Sequence, residues 1–457
     1  MNNFKNLNLR DGFLKNLTSL NYVTMTNIQE KSLPILLNNN DLIAQSKTGS
    51  GKTIAFSIPI VNKLNKDKFR IQTMVLCPTR ELANQVANEI KKLCRFIENI
   101  KVLTLCGGVP YKPQVHSLSH KAHIIVGTPG RILKHISEEN IELENIDTLV
   151  LDEADKMLDM GFFEDIMKII DSLPKNRQTM LFSATYDDQI LSLGKNITNN
   201  AEFIKDDSIH KKEKINQEFF EIDEDDKSKL VTFLINKYKA KSVLIFCNRK
   251  YKCEEIADEI FEFGLDCVVL HSDLEQKQRD ETIVLFSNKS YPIMVATDVA
   301  SRGLDITDID LVINYDIAND EKVHTHRIGR TARASSNGTA VTFYNRHEMD
   351  IVLDIKQQFD DINFSKIEHL EQLETKVDLK PQFATLYING GKKDKLRAGD
   401  IVGTLINKAN LSKDDIGNID IFRFHSYVAV KKEYEKNALD ALNTNKIKQK
   451  EFRVYPR

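Results

Sequence analysis

The chain has 457 residues, 41% of them hydrophobic, and this length suggests roughly three domains with full-sized cores. No apolar stretch approaches the roughly 18 residues that cross a bilayer, and the N-terminus has no apolar signal core. The net charge of −2 by itself does not suggest a nucleic-acid partner. We therefore expect neither a membrane-spanning segment nor a membrane partner.

The six cysteines show neither a Cys-x-x-Cys pair nor a spacing typical of metal ligands. Most of them lie within apolar, strand-like runs. We interpret them as reduced, buried thiols and expect a monomeric, cytoplasmic protein. They are Cys77, Cys94, Cys106, Cys247, Cys253 and Cys267.

The first predicted strand leads into a loop that is typical of a phosphate-binding site. Leu42–Gln45 is the strand, and Ile54–Leu64 has the apolar pattern of the following helix. Two glycines in the loop allow backbone N–H groups to turn onto phosphate oxygens. Lys52 can reach the outer phosphates, and Thr53 can offer its hydroxyl to magnesium. The predicted nucleotide-binding loop comprises Ser46, Lys47, Thr48, Gly49, Ser50, Gly51, Lys52 and Thr53.

An acidic run, Asp152–Asp155, follows a later predicted strand and favours a nucleotide site. Asp152 can hold magnesium through water, and Glu153 can orient or deprotonate the attacking water. Ala44 stands where the usual phosphate-loop pattern has its first glycine, so the strict pattern is not met. A glycine-rich turn and a solvated acidic turn are the alternatives for the two motifs taken singly.

Two α/β lobes are predicted, followed by a basic tail. Short β-branched runs alternate with helical patterns in both lobes, which is typical of doubly wound parallel sheets covered on both faces. The first set of strands is Leu42–Gln45, Thr73–Cys77, Val102–Cys106, His123–Gly127, Thr148–Asp152 and Thr179–Ser183, and the second is Ser242–Cys247, Cys267–His271, Ile293–Thr297, Leu311–Tyr315 and Ala340–Tyr344. Polar linkers at 206–215 and 363–382 separate the first lobe (1–205), the second lobe (216–362) and the tail (383–457).

The second lobe has no phosphate loop, but it carries three arginines spaced three residues apart. Arg327, Arg330 and Arg333 are predicted to share one helical face. A guanidinium offers a fixed positive charge to phosphate oxygens whose negative charge grows during phosphoryl transfer. An exposed basic helix is the alternative for any one of them.

The motifs between about residues 4 and 345 occur in the order found in the DEAD-box family of RNA helicases, which the chain resembles. Besides the phosphate loop and the acidic run, the matching segments are Pro78–Ala83, Gly107–Gly108, Thr128–Arg131, Ser183–Thr185, Gln276–Arg279, Ala296–Ile306 and His324–Arg333. The resemblance implies two RecA-like lobes, ATP and magnesium as cofactors, and local opening of short RNA duplexes without translocation.

Several roles near the nucleotide base are implied by this resemblance. Tyr22–Gln29 is similar to the segment that selects adenine, with Gln29 contacting the adenine edge. Phe4 fits the isolated aromatic that stacks on the base, with a hydrophobic anchor of the terminal segment as the alternative. Asn21 and Asn27 stand where glycine and proline are usual, so both affect the backbone preferences of this loop.

The resemblance also implies roles at the ribose, the phosphates and the RNA. Asp305 would contact the ribose, and Arg330 and Arg333 would act as arginine fingers, so that hydrolysis requires lobe closure. Ser183 and Thr185 would link hydrolysis to strand separation. Contacts to the RNA backbone, which position RNA without reading its sequence, would come from Arg80, Gly108, Thr128, Arg131, Gln276, Arg279 and Thr297, although a surface or capping role is the alternative for each.

The tail has the predicted order strand, helix, strand, strand, helix, strand, which suits an RNA-recognition fold of the α+β class. Residues 381–457 contain 15 Lys/Arg against 9 Asp/Glu, so this segment carries +6 and the other 380 residues carry −8. Leu386–Gly390, with Tyr387, is similar to the shorter RNA-binding signature. Arg423–Val430 matches the longer signature poorly, because His425 stands where an aromatic residue is usual.

The tail is also similar to the RNA-binding domain of a bacterial DEAD-box subfamily, most clearly over Ala384–Asp400. That resemblance implies a hairpin of large-subunit ribosomal RNA near the peptidyl-transferase centre, within the pre-ribosomal large subunit, as the target. A tethered tail would raise the effective concentration of the motor on nearby duplexes. The candidates for phosphate contacts are Lys392, Lys393, Lys395, Arg397 and Arg453, with a solvated basic loop as the alternative.

Two other functions fit the same motifs. A general DEAD-box helicase of messenger-RNA decay or cold adaptation would share the two lobes, but such proteins tend to carry disordered basic extensions. An ATP-gated RNA clamp or chaperone would bind RNA and rarely hydrolyse ATP. The intact Lys52, Glu153, Arg330 and Arg333 argue against the clamp.

Overall fold

The structure is a computed structural model that describes residues 3–46, 49–186, 188–206, 215–298, 309–331, 338–359, 362–365, 377 and 379–457. The chain forms two compact units that divide between residues 212 and 213. We call them unit 1 and unit 2, and unit 2 includes the tail. Among the described residues, no helix has the length and apolar character that a bilayer crossing requires.

Unit 1 contains a parallel sheet of seven strands in the order β3-β4-β2-β5-β6-β1-β7. The strands are β1 (Leu42–Gln45), β2 (Thr73–Leu76), β3 (Val102–Leu105), β4 (Ile124–Gly127), β5 (Thr148–Leu151), β6 (Gln178–Ser183) and β7 (Glu202–Lys205). The helices are α1 (Phe13–Ser19), α2 (Asn27–Leu37), α3 (Lys52–Lys63), α4 (Arg80–Leu93), α5 (Tyr111–Ser119), α6 (Pro129–Ser137), α7 (Ala154–Asp159), α8 (Phe163–Ser172) and α9 (Asp188–Ile197).

Both faces of this sheet are buried, which explains why its strands are almost entirely apolar. Leu42 and Ala44 of β1 belong to one core cluster, whereas Ile43 between them belongs to the cluster on the opposite face. Successive side chains of a strand point to opposite faces, so covering both faces requires apolar residues at every position. The loops at the carboxyl ends of the strands are therefore where polar side chains gather.

Unit 2 contains a second parallel sheet of seven strands, in the order β10-β11-β9-β12-β13-β8-β14. The strands are β8 (Ile215–Glu221), β9 (Val243–Cys247), β10 (Cys267–Leu270), β11 (Ile293–Thr297), β12 (Leu311–Asn314), β13 (Gly338–Tyr344) and β14 (Ile362–Ser365). The described helices of this part are α10 (Lys227–Tyr238), α11 (Lys250–Glu262), α12 (Gln276–Ser287), α13 (Glu321–Ile328) and α14 (Met349–Gln358).

The tail forms an antiparallel sheet of four strands with two helices, and it confirms the predicted order. The sheet order is β16-β17-β15-β18. Its elements are β15 (Phe383–Ile388), α15 (Ala398–Ala409), β16 (Ile416–Ile421), β17 (Ser426–Lys431), α16 (Glu435–Thr444) and β18 (Val454–Pro456). The predicted fold class, two doubly wound α/β lobes with a smaller α+β domain, is thus confirmed.

Three strands at or next to the sheet edges were not predicted from the sequence. In β7 only Ile204 is buried, because the strand lies at the edge of its sheet and most of its side chains face solvent. β14, which ends at Ser365, alternates apolar with polar residues, and β8, which begins at Ile215, contains four polar residues among its seven. Edge position removes the continuous apolar run that identified the central strands.

Candidate nucleotide and RNA sites

The phosphate loop lies between the carboxyl end of β1 and the first turn of α3. Gly49 and Gly51 have φ angles of 83° and 96°, a region that favours glycine. A Cβ at Gly51 would also overlap the side-chain amide of Gln29. The loop therefore needs glycine at this position for two independent reasons. Lys47 and Thr48, both predicted loop residues, lie outside the described residues.

Lys52 is a buried cation at the start of α3. Its Nζ donates a hydrogen bond of 2.8 Å to the backbone carbonyl of Ser46, and the hydroxyls of Ser46 and Ser50 are hydrogen-bonded to each other. Thr53, the next residue, is partly exposed in the first helical turn. A helix N-terminus and a buried ammonium group favour an anion at this point. This arrangement suits a nucleotide phosphate.

Gln29 joins helix α2 to the phosphate loop. Its Nε2 donates to the Gly51 carbonyl over 3.1 Å, and its Oε1 accepts from the Thr26 backbone N–H over 3.0 Å. The second bond belongs to a capping box at the start of α2. The predicted adenine-reading residue is therefore placed at the nucleotide loop, with its amide orientation fixed by the helix cap.

The two asparagines that depart from the family pattern are both accommodated. Asn21 has a φ angle of 64°, a left-handed conformation that asparagine tolerates better than most residues. Asn27 is the first residue of α2, and its Nδ2 donates to Asp206 Oδ1 over 2.5 Å. Tyr22, in the same segment, donates its hydroxyl to Glu89 Oε1 over 2.7 Å. The segment thus keeps its shape without the usual glycine and proline.

Phe4 lies in the core of unit 1. It starts a short 3₁₀ helix, Phe4–Asn6, and its side chain is only 1% exposed. The ring packs with the apolar residues that cover one face of the parallel sheet. This burial favours the role of a hydrophobic anchor, the alternative to base stacking.

Asp152 is a buried carboxylate at the end of β5. Its backbone N–H donates to the Leu76 carbonyl over 3.0 Å, which fixes the strand end. Burial raises the pKa of Asp152 to about 7, and the charge of Lys52 opposes that shift. Within the described residues, Asp152 Oδ1 accepts no hydrogen bond. A buried carboxylate oxygen without a donor, on the same sheet edge as Thr53, fits the hard oxygen ligands that magnesium prefers.

Glu153 is held in place by an ion pair that the sequence reasoning missed. Lys156 Nζ lies 2.8 Å from Glu153 Oε2, and both side chains are almost completely buried. Glu153 itself has a φ angle of 53°, so the backbone turns sharply where α7 begins. The i,i+3 spacing on a helical turn was the available signal. The ion pair restricts the direction in which the candidate catalytic carboxylate points.

Asp155 connects the acidic run to the segment Ser183–Thr185. Its Oδ2 accepts hydrogen bonds of 3.1 Å from the backbone N–H groups of Ala184 and Thr185. The carbonyl of Ser183 in turn accepts from the Ser46 N–H over 2.9 Å. The phosphate loop, the acidic run and the predicted coupling segment are therefore joined by direct hydrogen bonds. No role was predicted for Asp155 individually, because its partners are 29 and 30 residues away in the sequence.

The four predicted RNA contacts of unit 1 lie at neighbouring strand ends. β3, β4 and β2 are adjacent, so their carboxyl-end loops share one edge of the sheet. The Arg80 guanidinium lies directly over Gly108, whose φ angle of 67° favours glycine. Arg131 donates to the Val109 carbonyl over 3.2 Å, and Thr128 is the N-cap residue of α6. The structure thus brings these four residues to one surface.

One expectation about the arginines of unit 2 was wrong. Helix α13 ends at Ile328, and Gly329 is its C-cap residue, so Arg330 does not continue the helical face of Arg327. Arg327 is buried and binds Asp298 through two hydrogen bonds of 2.7 Å, which gives it a structural role. Arg330 is also largely buried. Arg333 and Asp305 lie outside the described residues.

The predicted RNA contacts of unit 2 lie at the carboxyl ends of β10 and β11. Arg279 is buried and donates to the His271 carbonyl over 3.3 Å. Gln276 donates to Asp280 Oδ1 over 2.7 Å in the first turn of α12. Thr297 ends β11, the neighbour of β10. These residues form a second group at a sheet edge, as they do in unit 1.

The tail presents its basic residues on an exposed turn that follows β15. Arg453 is close to this turn, since its carbonyl accepts from the Asn389 N–H over 2.9 Å. Lys448 donates to the Lys395 carbonyl over 2.7 Å, which adds a cation to the same region. All five predicted phosphate contacts are exposed, namely Lys392, Lys393, Lys395, Arg397 and Arg453.

One face of the tail sheet contacts the rest of unit 2. Thr385 Oγ1 lies 3.1 Å from Asn288 Nδ2 and 2.6 Å from Ser290 Oγ, at the end of α12. Arg457 forms an ion pair of 2.8 Å with Glu281 on the same helix. The tail is therefore packed against α12, the helix that also carries Gln276 and Arg279.

Three family models match the chain in sequence. They are a DEAD/DEAH box helicase at residues 26–193, a helicase conserved C-terminal domain at 226–335, and a DbpA RNA binding domain at 385–456. The chain is 43% identical to the ATP-dependent RNA helicase DbpA of Escherichia coli and 36% identical to that of Bacillus subtilis. Each alignment covers 99% of both chains.

Solved structures show the same likeness over most of the chain. S. cerevisiae Dbp5 bound to RNA and ADP BeF3 matches with a TM-score of 0.72 and 31% identity, over 80% of this chain and 96% of that one. Mss116p bound to ssRNA and AMP-PNP matches with a TM-score of 0.72 and 28% identity, over 80% and 78% of the two chains. The chain belongs to the DEAD/DEAH box helicase family, as an ATP-dependent RNA helicase of the DbpA type with a DbpA RNA binding domain.

Proposed function

We propose that this helicase hydrolyses magnesium-bound ATP to open short duplexes in large-subunit ribosomal RNA during assembly of the large ribosomal subunit. The observation that carries the targeting is the exposed basic turn from Lys392 to Arg397. It lies on a tail that matches a DbpA RNA binding domain over residues 385–456. The tail would hold the motor beside its duplex, so that local unwinding without translocation is sufficient.

The nucleotide chemistry follows from the phosphate loop and the acidic run. The Lys52 ammonium group would donate to a phosphate oxygen in place of the Ser46 carbonyl, since each of these oxygens is a hydrogen-bond acceptor. Thr53 and Asp152 would hold magnesium, which would neutralise charge on the outer phosphates. Glu153, oriented by Lys156, would position the attacking water.

Hydrolysis would also depend on residues that are distant in sequence from the phosphate loop. Arg330 and Arg333 would supply positive charge to the phosphate oxygens as their negative charge grows. Asp305 would contact the ribose. Because these residues are far in sequence from the phosphate loop, turnover would report a closed state of the enzyme rather than nucleotide binding alone.

The link to RNA would run through Asp155. Its two hydrogen bonds hold the backbone of Ala184 and Thr185, while Ser183 is bonded to the phosphate loop. A change at the phosphates would therefore reach the coupling segment through bonds that already exist. RNA backbone contacts at Arg80 and Arg279 would position the duplex without reading its sequence.

The targeting is tested by RNA-stimulated ATP hydrolysis of the full chain. A fragment of large-subunit ribosomal RNA that contains the hairpin should stimulate hydrolysis far more than unrelated RNA of equal length. The double variant Lys392→Ala/Lys393→Ala should lose that preference. Lys408→Ala/Lys436→Ala is the matched control, because it removes the same charge from exposed positions on the tail helices. Equal stimulation of wild type by both RNAs would rule out the ribosomal target.

The catalytic assignment is tested separately by Glu153→Gln. We expect this variant to bind ATP and RNA and to lose turnover, because the amide cannot accept a proton from water. Binding is measured by fluorescence anisotropy and turnover by phosphate release. If this variant hydrolysed ATP at the wild-type rate, Glu153 would not be the residue that positions the water. That result would not affect the proposed RNA preference of the tail.

A further inference from the structure

The sheet of the tail exposes aromatic surface for stacking RNA bases mainly at its edge strand β18, where Tyr455, the partner of Tyr387, is 46% exposed. One face is covered by α15 and α16, and residues of the other face are buried too, since Thr385 and Tyr427 are 0% exposed. The ring of Tyr387 lies 5.2 Å from Arg457 Cζ and 6.0 Å from Lys277 Nζ of α12. An RNA-recognition sheet usually stacks bases on aromatics of this face. Here the central part of that face is used for packing within unit 2.

His425 does not restore a stacking position. Its imidazole is stacked between Phe422, at 4.9 Å, and Tyr387, at 5.5 Å, with interplanar angles of 16° and 23°. Both of its ring faces therefore contact other rings. A base could not stack on His425 without disrupting this arrangement.

Phe424 is the most exposed aromatic side chain of the described tail, ahead of Tyr455 on the sheet face, which is 46% exposed. Phe424 is 53% exposed, although it lies in a domain with a complete apolar core. Lys393 Nζ lies 5.4 Å and Arg423 Cζ 5.1 Å from the centre of its ring. An aromatic ring with two adjacent cations combines a surface for a base with charges for the neighbouring phosphates.

The turn that carries Phe424 is held firmly against the basic turn. The backbone N–H groups of Lys392 and Lys393 donate to the carbonyls of Phe422 and Arg423, each over 2.9 Å. A Cβ at Gly391 would lie 2.5 Å from the Phe422 carbonyl oxygen, so only glycine permits this approach. The two turns thus form one rigid rim, which lowers the entropy cost of ordering a ligand there.

We propose that Phe424, with Lys393 and Arg423, forms a binding site for one unpaired nucleotide of RNA. The base stacks on the phenylalanine ring, and the two cations contact the phosphates on either side of it. This inference rests on the proposed targeting of the tail and names the residue that supplies stacking. It places a base-stacking position at the rim of the domain, outside the sheet face that carries Tyr387.

Binding of an RNA hairpin with a single-stranded loop to the full chain tests the site. Phe424→Ala should weaken binding on the order of tenfold, whereas Phe424→Trp should bind at least as well as wild type. Phe261→Ala is the matched control, since Phe261 is 66% exposed on α11 and its loss should leave RNA binding unchanged.

The salt dependence of binding separates the role of the ring from that of the cations. Because Phe424 carries no charge, its loss should not alter the slope of log Kd against log salt, while Lys393→Ala should reduce that slope by roughly 0.7.

Abasic substitutions along the loop locate the stacked base. At one loop position, removing the base should weaken RNA binding by the wild type and leave RNA binding by Phe424→Ala unchanged. Such a result would show that the base and the ring interact with each other. Wild-type affinity of Phe424→Ala for the hairpin would overturn the proposal and would leave the ring as a contact for another molecule. An equal loss of affinity for fully paired RNA would overturn it as well. If wild type itself showed no hairpin preference, the ribosomal target would fail instead.

Discussion

Lys156 Nζ lies 2.8 Å from Glu153 Oε2, and the two side chains form a buried ion pair beside the phosphate loop. Such a pair costs desolvation energy, and removing one member leaves a buried charge with weaker compensation. Here the carboxylate is the group proposed to position water. The ion pair therefore connects the stability of unit 1 to the orientation of its catalytic residue.

Lys156→Met should lower the free energy of unfolding by about 3–5 kcal/mol and reduce kcat for ATP with little change in KM. Lys156→Arg should recover much of the free energy of unfolding and much of kcat, since it keeps the positive charge. Urea unfolding and steady-state hydrolysis measure the two effects. The double variant Glu153→Gln/Lys156→Met should be more stable than Lys156→Met alone, because the buried carboxylate charge that lost its Lys156 partner is gone. No difference between these two variants would mean that the pair does not interact energetically.

Gly51→Ala should weaken ATP binding. The left-handed φ angle of 96° costs about 1–2 kcal/mol for a residue with a Cβ, and that Cβ would also push the Gln29 amide away from the loop. Gly161→Ala is the matched control, because Gly161 has a φ angle of 77° and nothing within 4 Å of an added Cβ. ATP affinity should fall in the first variant alone, while both lose some stability. Normal ATP affinity in Gly51→Ala would contradict the placement of Gln29 against the loop.

Asp155→Ala should uncouple hydrolysis from unwinding. It removes the acceptor of the Ala184 and Thr185 N–H groups, so the coupling segment loses its connection to the acidic run. We expect fewer duplexes opened per ATP hydrolysed, measured with a labelled RNA duplex and phosphate release in the same reaction. Asp155→Asn retains one acceptor oxygen and should be milder. A parallel fall of both activities, with an unchanged ratio, would instead indicate a general structural role.

Unit 2 should lose stability as the pH falls below about 6.5. Burial lowers the pKa of His324 to about 3, and its Nε2 lies 2.9 Å from Gln217 Oε1 against the rings of Phe219 and Phe359. The imidazole of His324 binds a proton near pH 6.5 in the unfolded chain but only near pH 3 in the folded chain. The folded state therefore loses stability as the pH falls between these two values. Arg327 also disfavours the protonated ring.

The contribution of this histidine should be about 1.4 kcal/mol between pH 7.5 and pH 5.5. Guanidinium unfolding at the two pH values measures it. His324→Asn should be less stable at pH 7.5 because packing is lost, but its stability should change less with pH than that of wild type. His347→Asn, at an exposed position, controls for the substitution itself. An identical pH dependence in His324→Asn and wild type would show that His324 titrates normally.

Sequence patterns predicted the features that consist of contiguous residues. The phosphate loop, the acidic run and the central strands each need particular residue types at fixed spacing, because φ angles, helix termini and two-sided burial act locally. Gly51 and Asp152 were identified on that basis. The strands β7 and β14 at the sheet edges and β8 next to an edge were missed, since each of them contains polar residues that interrupt the apolar run.

The tertiary structure alone decided the contacts between distant segments. Asp155 reaches Thr185 because β5 and β6 are neighbours, and Arg327 binds Asp298 because α13 packs beside the end of β11. Neither strand order nor helix ends can be read from spacing, so the arginine face was wrongly predicted. The same holds for the tail, where packing on α12 buries Thr385 and leaves Phe424 exposed. The sequence determined the chemistry that each loop can perform, and the order of the strands determined which loops act together.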